Sequence, residues 1–217
     1  SVVPITGRPA GWCDHIARMW PVDAVVGENG ALYFRYDRAR RKMIRVFFRD
    51  TATRVADRMK LDQLRDAILR AYPSAGIASD QPYREADLAV DFCEDVPPMT
   101  RAEIRGIAAM FEAVGAHAKI SSIHVNGWFG DYDKLTMATR LFADEFNVDL
   151  IADRDNVVFA GDSPNDAPMF GHFPHSVGVA NVLDFAEDLV AAPTYVTPLR
   201  SGRGFVQLCE HILAGRS

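Results

Sequence analysis

The stretch Val157-Val158-Phe159-Ala160-Gly161-Asp162-Ser163-Pro164-Asn165-Asp166 is a short apolar run that ends abruptly in a polar loop. The apolar residues predict a buried strand, and Ala167-Pro168-Met169-Phe170 then resume an apolar pattern with helical spacing. The polar loop should lie at the carboxyl end of the strand, where open α/β sheets bind their ligands. Two carboxylates and an amide so close together suit Mg²⁺, which takes oxygen ligands and keeps some of its water. The alternative at this point is an ordinary acidic loop that caps a helix.

The composition of the chain argues against several classes of protein. Its 217 residues, 48% hydrophobic and 24% charged, describe a globular chain with room for one large domain or two modest ones. The net charge of −5 argues against nucleic-acid binding, which needs a basic face. No apolar run has membrane-spanning length, so no membrane partner is expected. Cys13, Cys93 and Cys209 have no metal-like spacing and are expected to be reduced thiols of a cytoplasmic protein.

The N-terminal segment carries a second polar turn. Val2 to Ile5 read as a strand interior and lead into Thr6-Gly7-Arg8-Pro9 and a helix over residues 10–19, with Trp12, Ile16 and Met19 on one side. Thr6 should end the strand with its hydroxyl free, and Pro9 suits the first turn of the helix. A helix N-terminus beside a hydroxyl and a guanidinium is a phosphate site. A plain strand-turn-helix joint with an exposed arginine is the alternative.

A hairpin follows the second strand. Residues 23–26 predict that strand, which ends in Gly27-Glu28-Asn29-Gly30, and residues 31–36 and 43–48 predict the arms of the hairpin. The hairpin is rich in basic residues: Arg35, Arg38, Arg40, Arg41, Lys42 and Arg45. These charges are better explained by a solvated, protected hairpin than by an anionic partner.

Residues 50–126 have the pattern of a small α+β module. Helical spacing of Leu61, Leu64 and Ile68 predicts one helix, and a capping box of Thr100 and Glu103 begins a second. Alternation over 86–92 predicts a half-buried antiparallel strand, and residues 119–125 predict another. Because segments of α/β character lie on both sides, the module looks inserted.

The module ends in a loop that leads to Lys134. Residues 126–133 predict a flexible aromatic loop, and a helix should begin near Lys134. A lysine at a helix start opposes the dipole, so an anionic ligand explains it better than helix stability; a solvated lysine is the alternative. Beyond the acidic loop, strands at 176–180 and 195–196 and helices near 183–191 and 204–214 complete a doubly wound, mostly parallel sheet.

Three of these segments together resemble the haloacid dehalogenase (HAD) superfamily of phosphatases, subclass IIB, which carries a large α+β cap. Ile5-Thr6-Gly7-Arg8-Pro9 is similar to the second motif of the family, Lys134 to the third and Gly161 to Asp166 to the fourth. Gly27-Glu28-Asn29-Gly30-Ala31 resembles the family's substrate-side loop. The resemblance implies an α/β fold with a Rossmann-like, doubly wound parallel core at 1–49 and 127–217 and an inserted α+β cap at 50–126.

The resemblance also implies a reaction: Mg²⁺-dependent hydrolysis of a small phosphorylated metabolite, of the sugar-phosphate class, through an aspartyl-phosphate. Asp162 would hold the metal, and Asn165 and Asp166 would complete its outer shell and orient Lys134. Thr6 would donate a hydrogen bond to the phosphoryl oxygens, and Lys134 would neutralise the charge of the nucleophile and the phosphate. The residues implied to bind substrate are Gly7, Arg8, Glu28, Asn29 and Lys134. The fourth motif is similar to that of sucrose-phosphate and mannosyl-3-phosphoglycerate phosphatases, although neither substrate transfers on this ground.

The sequence departs from the family at its first motif, an apolar strand followed by Asp-x-Asp. Leu150 to Asp155 have the acids but lack the small residues for close approach to phosphate, and we interpret them as a surface turn. Asp131-Tyr132-Asp133 lack the preceding strand. The nucleophile and the acid/base Asp are therefore expected in a segment before Ser1.

Two other functions stay open from the sequence. A phosphomutase with a related cap would use the same metal site, and isomerisation without phosphate release would identify it. A non-catalytic protein that binds sugar phosphates is the second alternative. Trp128, Phe129, Tyr132, His124 and Asn126 could contact a sugar, but packing is the better explanation for each of them. The sequence does not predict an oligomeric state.

Overall fold

The computed structural model describes residues 1–215, apart from the side chain at position 188, and divides into two compact units. The first unit is Ser1–Leu141 and the second begins at Phe142. The helices are α1 (Ala10–Met19), α2 (Thr51–Ala71), α3 (Arg101–Ala113), α4 (Lys134–Phe146), α5 (Ala167–His172) and α6 (Ser201–Ala214). The strands are β1 (Val25–Gly27), β2 (Leu32–Asp37), β3 (Lys42–Phe47), β4 (Gly76–Ile77), β5 (Asp87–Asp91), β6 (His117–Ile120), β7 (His124–Trp128), β8 (Val158–Gly161), β9 (His175–Gly178) and β10 (Tyr195–Val196). The predicted α/β class is confirmed.

Helix α1 has the predicted bounds. Cys13 and Ile16 pack with Leu32 of β2 in an apolar cluster. Trp12 and Met19, which the sequence places on one side of the helix with Ile16, are 49% and 69% exposed, whereas Ile16 is buried. The small side chains of Ala10, Cys13 and Ala17 allow the helix to approach β1 and β2 closely, and the larger residues are left on the outer face.

The N-terminal sheet has the antiparallel order β1-β2-β3, which confirms the hairpin. Residues 2–5 run beside β1 with parallel-type hydrogen bonds, from Val26 N–H to the Pro4 carbonyl and from Thr6 N–H to the Val26 carbonyl, each 2.9 Å. Only Ile5 forms a bridge there, and Val2 is 59% exposed. The prediction of a core strand over residues 2–5 is therefore wrong at its beginning.

The α+β module contains a four-stranded antiparallel sheet in the order β4-β5-β7-β6. Leu61 and Ile68 of α2 and Phe111 of α3 pack on its apolar face. The predicted capping box of Thr100 and Glu103 is present at the start of α3. A single strand over 119–125 is wrong, because the Ser121 hydroxyl accepts from His124 N–H (2.9 Å) and turns the chain between β6 and β7. The segment 126–128, expected in a flexible loop, belongs to β7.

Strand β5 is buried along its whole length, so the prediction of a half-buried strand is wrong. Leu88 and Val90 face the apolar core, as the alternation predicts. The opposite face carries Asp87 and Asp91, which are 0% and 1% exposed. These carboxylates avoid an uncompensated burial because each accepts several hydrogen bonds from the protein.

The second unit contains a parallel sheet in the order β10-β9-β8, as predicted. Phe159 of β8 packs edge-on against Phe170 of α5 at a centroid distance of 5.5 Å. Val158 is 47% exposed, so β8 is less buried than the apolar run predicts. The helix expected near 183–191 is instead a kinked 3₁₀ segment, Ala180–Asp188.

The predicted division into a core (1–49 and 127–217) and a cap (50–126) stays a prediction, since the compact units divide inside α4. Among the described residues, no helix has the combination of length and hydropathy that a membrane span requires. The three cysteines are free thiols, as expected.

Candidate active site

The predicted phosphate loop, Thr6-Gly7-Arg8-Pro9, precedes α1 as expected. The Thr6 hydroxyl is not free, because its oxygen accepts from Arg8 N–H at 3.1 Å. That contact uses only an acceptor site, and the hydroxyl proton can still be donated to a ligand. Asn29 N–H donates to the Thr6 carbonyl (3.2 Å) and Glu28 N–H to the Arg8 carbonyl (3.1 Å), so backbone bonds join the loop to residues 28 and 29.

Residues 28–30 form a buried turn with three successive positive φ angles, 46° at Glu28, 55° at Asn29 and 108° at Gly30. A Cβ atom on Gly30 would collide with the Asp133 carbonyl, so the glycine allows this turn to contact the beginning of α4. A Cβ on Gly7 would lie 3.0 Å from Asn29 Oδ1. The first unit thus brings the phosphate loop, Asn29 and the start of α4 to one place.

Lys134 is the first residue of α4 and only 6% exposed. This burial rules out a solvated surface lysine, which was the alternative in the sequence. Asp133 caps the helix, since its carboxylate accepts from Thr136 N–H at 2.7 Å. The helix start is therefore stabilised by Asp133, and Lys134 is not needed for that purpose. A lysine kept there at the cost of burying its charge is typical of a functional group.

Glu28 is fully buried, and all its carboxylate contacts are within the protein. Its Oε1 accepts from the N–H groups of Ala10 (2.9 Å) and Glu85 (2.8 Å). Its Oε2 accepts from those of Ala86 (2.6 Å) and Asp87 (3.3 Å). Burial, reinforced by the Asp87 carboxylate, raises the pKa of Glu28 to about 7, although the backbone N–H groups act in the opposite direction. The carboxylate is saturated by protein donors, which favours a positioning role over contact with substrate.

Arg8 points toward acids of the α+β module. Its guanidinium lies 3.3 Å from Asp80 and 4.0 Å from Glu94, and its side chain is 43% exposed. It also lies over the ring of Trp12, 5.8 Å from the centroid. Exposed pairs of this kind are weak, so a phosphate can compete for the guanidinium.

The acidic loop of the second unit follows β8 directly. Asp166 folds back over the loop, and its Oδ2 accepts from the N–H groups of Asp162 (3.0 Å) and Ser163 (3.3 Å). A Cβ on Gly161 would lie 2.6 Å from that same oxygen, so glycine is required at 161 for the carboxylate to fit. Asp166 is 5% exposed and holds the loop closed. The Ser163 hydroxyl contacts the Asn165 amide oxygen.

Asp162 is the exposed acid of this loop and lies at the carboxyl end of β8, as predicted. Asn181 donates to its Oδ2 from Nδ2 at 3.2 Å, and Asn181 in turn accepts from the N–H of Ser201 at the start of α6. The Asp162 carboxylate is therefore oriented by Asn181, which follows the neighbouring strand β9, and Asp162 is still exposed to solvent.

The residues present fit one part of a Mg²⁺ site. Among the described residues, no cluster of three His, Cys, Asp or Glu side chains has metal-binding geometry. Mg²⁺ is commonly held by one or two carboxylates together with water and phosphate oxygens. The exposed, oriented carboxylate of Asp162 is a suitable single ligand, whereas Asp166 is occupied by backbone donors.

The fold explains the two acidic segments that have the acids of the first motif, Leu150 to Asp155 and Asp131 to Asp133. Residues 151–156 form exposed turns, which confirms the predicted surface turn. Asp133 caps α4, and Asp131 is exposed beside it. Trp128, Phe129 and Tyr132 are at most 9% exposed, so packing explains them, as expected.

Sequence reasoning missed three polar residues. Asn181 follows the strand next to β8, and its place at the same edge of the parallel sheet could have indicated it. Arg84 and Asp87 form a buried ion pair of 2.9 Å, and no local signal distinguishes them from solvated charges.

No family model matches the sequence, and no curated protein matches it. Solved structures do match. The sucrose-phosphatase of Synechocystis aligns with a TM-score of 0.61 at 14% identity, over 96% of this chain and 83% of that one. A HAD subclass IIB sugar phosphatase aligns with a TM-score of 0.63 at 13% identity, over 98% and 85%. A haloacid dehalogenase-like hydrolase from Bacteroides thetaiotaomicron aligns with a TM-score of 0.61 at 14% identity, over 97% and 85%.

These alignments cover nearly the whole chain. At identities of 13–14% they show a shared fold and do not by themselves show a shared reaction. The fold of this chain is that of the haloacid dehalogenase superfamily.

Proposed function

We propose that this chain belongs to a Mg²⁺-dependent phosphomonoester hydrolase that acts on a small phosphorylated metabolite, of the sugar-phosphate class. The observation that carries the proposal is the buried Lys134, which contacts the same turn as the Thr6-Gly7 loop. A threonine hydroxyl, a helix N-terminus and a buried ammonium are the groups that bind and neutralise a phosphoryl group. The solved structures named as sucrose-phosphatase and sugar phosphatase support the substrate class. The free thiols support a cytoplasmic location.

The proposed roles follow from the contacts of each residue. The Thr6 hydroxyl donates a hydrogen bond to a phosphoryl oxygen, and Gly7 and Asn29 shape the loop around that group. Arg8 exchanges its exposed ion pairs for the phosphate. Lys134 offsets negative charge from inside the protein, where the interaction is stronger than in water. Bound Mg²⁺ would neutralise the phosphate charge as a Lewis acid, with Asp162 as a ligand.

The remaining residues of the acidic loop orient Asp162. Asp166 fixes the backbone N–H groups of residues 162 and 163, and Asn181 fixes the carboxylate itself. Asn165 contributes a polar side chain held by Ser163. None of these residues is assigned as the nucleophile of the proposed aspartyl-phosphate; they bind, orient and neutralise.

The test is phosphate release by the natural full-length protein from a panel of sugar phosphates, with and without Mg²⁺. Asp162→Ala should abolish the Mg²⁺-dependent turnover, because the exposed metal ligand is lost. Asp155→Ala, which removes an exposed acid from the surface turn, is the matched control and should leave the rate unchanged. An active Asp162→Ala variant would refute the metal assignment. Isomerised ester without free phosphate would indicate a mutase, and no reaction with any ester would indicate the binding role.

A further inference from the structure

Glu28 connects three segments that are far apart in the chain. Its carboxylate accepts from Ala10 at the start of α1 and from Glu85, Ala86 and Asp87 at the entrance to β5. The side chain is 0% exposed, so water cannot replace these contacts. The entrance to β5 is thereby attached to the turn that also holds the phosphate loop.

Arg84 makes a second attachment at the same entrance. Its Nη1 donates to the Gly7 carbonyl at 3.0 Å and to the Asp87 carboxylate at 2.9 Å. Its Nε donates to Asp80 at 3.1 Å. The side chain is 1% exposed, and two carboxylates hold the planar guanidinium in position. A residue of the α+β module therefore bonds directly to the backbone of the phosphate loop.

The third connection is made by backbone hydrogen bonds between the Glu28 turn and the phosphate loop. Backbone bonds join Glu28 and Asn29 to Arg8 and Thr6. A displacement of residues 84–87 must consequently move Gly7 through Arg84, and residues 28–29 through Glu28. The interior transmits such shifts because it is closely packed.

We propose that Glu28 and Arg84 form a clamp that couples the position of the α+β module to the conformation of the phosphate loop. Both are positioning residues: they act on a bound phosphoryl group through the backbone of residues 6–10 and 28–29. The effect on catalysis rests on the proposed function, whereas the mechanical coupling does not.

The chain offers conservative variants and a matched control. Arg84→Lys keeps the charge but cannot reach Asp80, Asp87 and Gly7 at once, because an ammonium lacks the planar fork. Glu28→Asp keeps the charge on a shorter side chain. The control is Arg58→Lys: Arg58 donates to the carbonyls of Arg84 (3.2 Å) and Asp87 (3.2 Å), so it holds the same segment without contact to the phosphate loop.

Amide hydrogen exchange tests the coupling without any assay of activity. In Arg84→Lys and Glu28→Asp, the amides of Ala10, Glu28 and Asn29 should exchange about tenfold faster than in the unsubstituted protein, the change expected for loss of a charge-assisted hydrogen bond. In Arg58→Lys, faster exchange should be confined to residues 84–87. Unchanged exchange at Glu28 and Asn29 in Arg84→Lys would overturn the clamp.

Kinetics with p-nitrophenyl phosphate and Mg²⁺ tests the effect on the site. Arg84→Lys should lower kcat about tenfold with little change in KM, because a misplaced Thr6 hydroxyl weakens contacts made chiefly in the transition state. Arg58→Lys, at a similar melting temperature, should retain its kcat. Equal kcat losses in both variants would reduce Arg84 to a structural role. If the unsubstituted protein hydrolyses no ester, the proposed function fails, and the exchange experiment still decides on the clamp.

Discussion

Glu28 shows how burial changes the chemistry of one residue. Its carboxylate is held by four backbone N–H groups, which stabilise the ionised form. Complete burial and the nearby Asp87 carboxylate act against that form. The balance raises the pKa of Glu28 from 4.5 to about 7. Glu28 therefore binds a proton more tightly in the folded protein than in the unfolded chain.

The stability contributed by this group should fall as the pH rises from 4.5 to 7. In this range the folded state holds more protons than the unfolded state, so raising the pH favours unfolding. A shift of this size corresponds to about 3 kcal/mol as an order of magnitude. Urea unfolding at pH 5 and pH 8 measures the effect in the unsubstituted protein and in Glu28→Gln, which cannot titrate at this position.

The Glu28→Gln variant should show the smaller loss of unfolding free energy between these two pH values. Other titrating groups are present in both proteins, so their contributions cancel in the comparison. Identical pH dependence in the two proteins would mean that Glu28 does not titrate near pH 7.

Helix α3 illustrates an element whose local signals are sufficient. Thr100 and Glu103 form the capping box that the sequence predicts, with Thr100 N–H donating to Glu103 at 2.9 Å. Thr100→Ala should lower the free energy of unfolding by about 1 kcal/mol, because an orphan N–H at the helix start loses its acceptor. Chemical denaturation measures the change, and Arg101→Ala at the neighbouring exposed position should cost under about 0.5 kcal/mol. Equal losses in the two variants would argue against the cap.

Strand β5 illustrates an element whose local signals mislead. The alternation of Leu88 and Val90 with polar residues is typical of a strand with one solvated face. The structure covers the polar face with Arg84, Asn126 and the Glu28 turn, and Asn126 donates to Asp87 at 3.0 Å. The contact between Glu28 and Asp87 spans 59 positions of the chain. No pattern within a short window contains that information.

Some features of the candidate site could likewise be predicted from local sequence, and others could not. Thr6, Lys134 and the loop from Gly161 to Asp166 could be placed from the sequence, because each follows or begins a regular element with a recognisable pattern. The saturation of Glu28 and the anchoring of Asp162 by Asn181 could not, because both depend on partners in other elements. Short motifs identify groups that can do chemistry, and tertiary contacts decide which of those groups are free to do it.

At the scale of the whole chain, the N-terminal segment and the α+β module belong to the same compact unit. Residues 1–49 and 50–126 cluster in one unit. The clamp of Glu28 and Arg84 contributes to this, since it joins the N-terminal segment to the module by buried, charge-assisted bonds. A buried charged group that loses its hydrogen-bond partners is costly. Separation of the two segments would leave Glu28 and Arg84 without these partners, so we expect the segments to stay together.

A ligand that binds only the folded protein should stabilise the whole molecule by mass action. If the proposed site is correct, Mg²⁺ and inorganic phosphate at about one hundred times their apparent dissociation constant should add about 2.7 kcal/mol. For a chain of this size that corresponds to a rise in melting temperature of about 5–10 °C. Thermal unfolding with phosphate alone, with Mg²⁺ alone and with both separates the contributions, at matched ionic strength to exclude general screening.

The dependence on Mg²⁺ should disappear in Asp162→Ala and persist in Asp155→Ala, because Asp162, unlike Asp155, is an exposed acid oriented by Asn181 at the end of β8. Lys134→Met should reduce the shift with phosphate alone, since Lys134 is buried and its backbone lies against the turn that carries Asn29. A shift that is equal in all three variants would place the phosphate elsewhere on the molecule. Stabilisation by phosphate that needs Asp162 for its Mg²⁺ component and Lys134 for the remainder would assign metal binding to Asp162 and phosphate binding to Lys134.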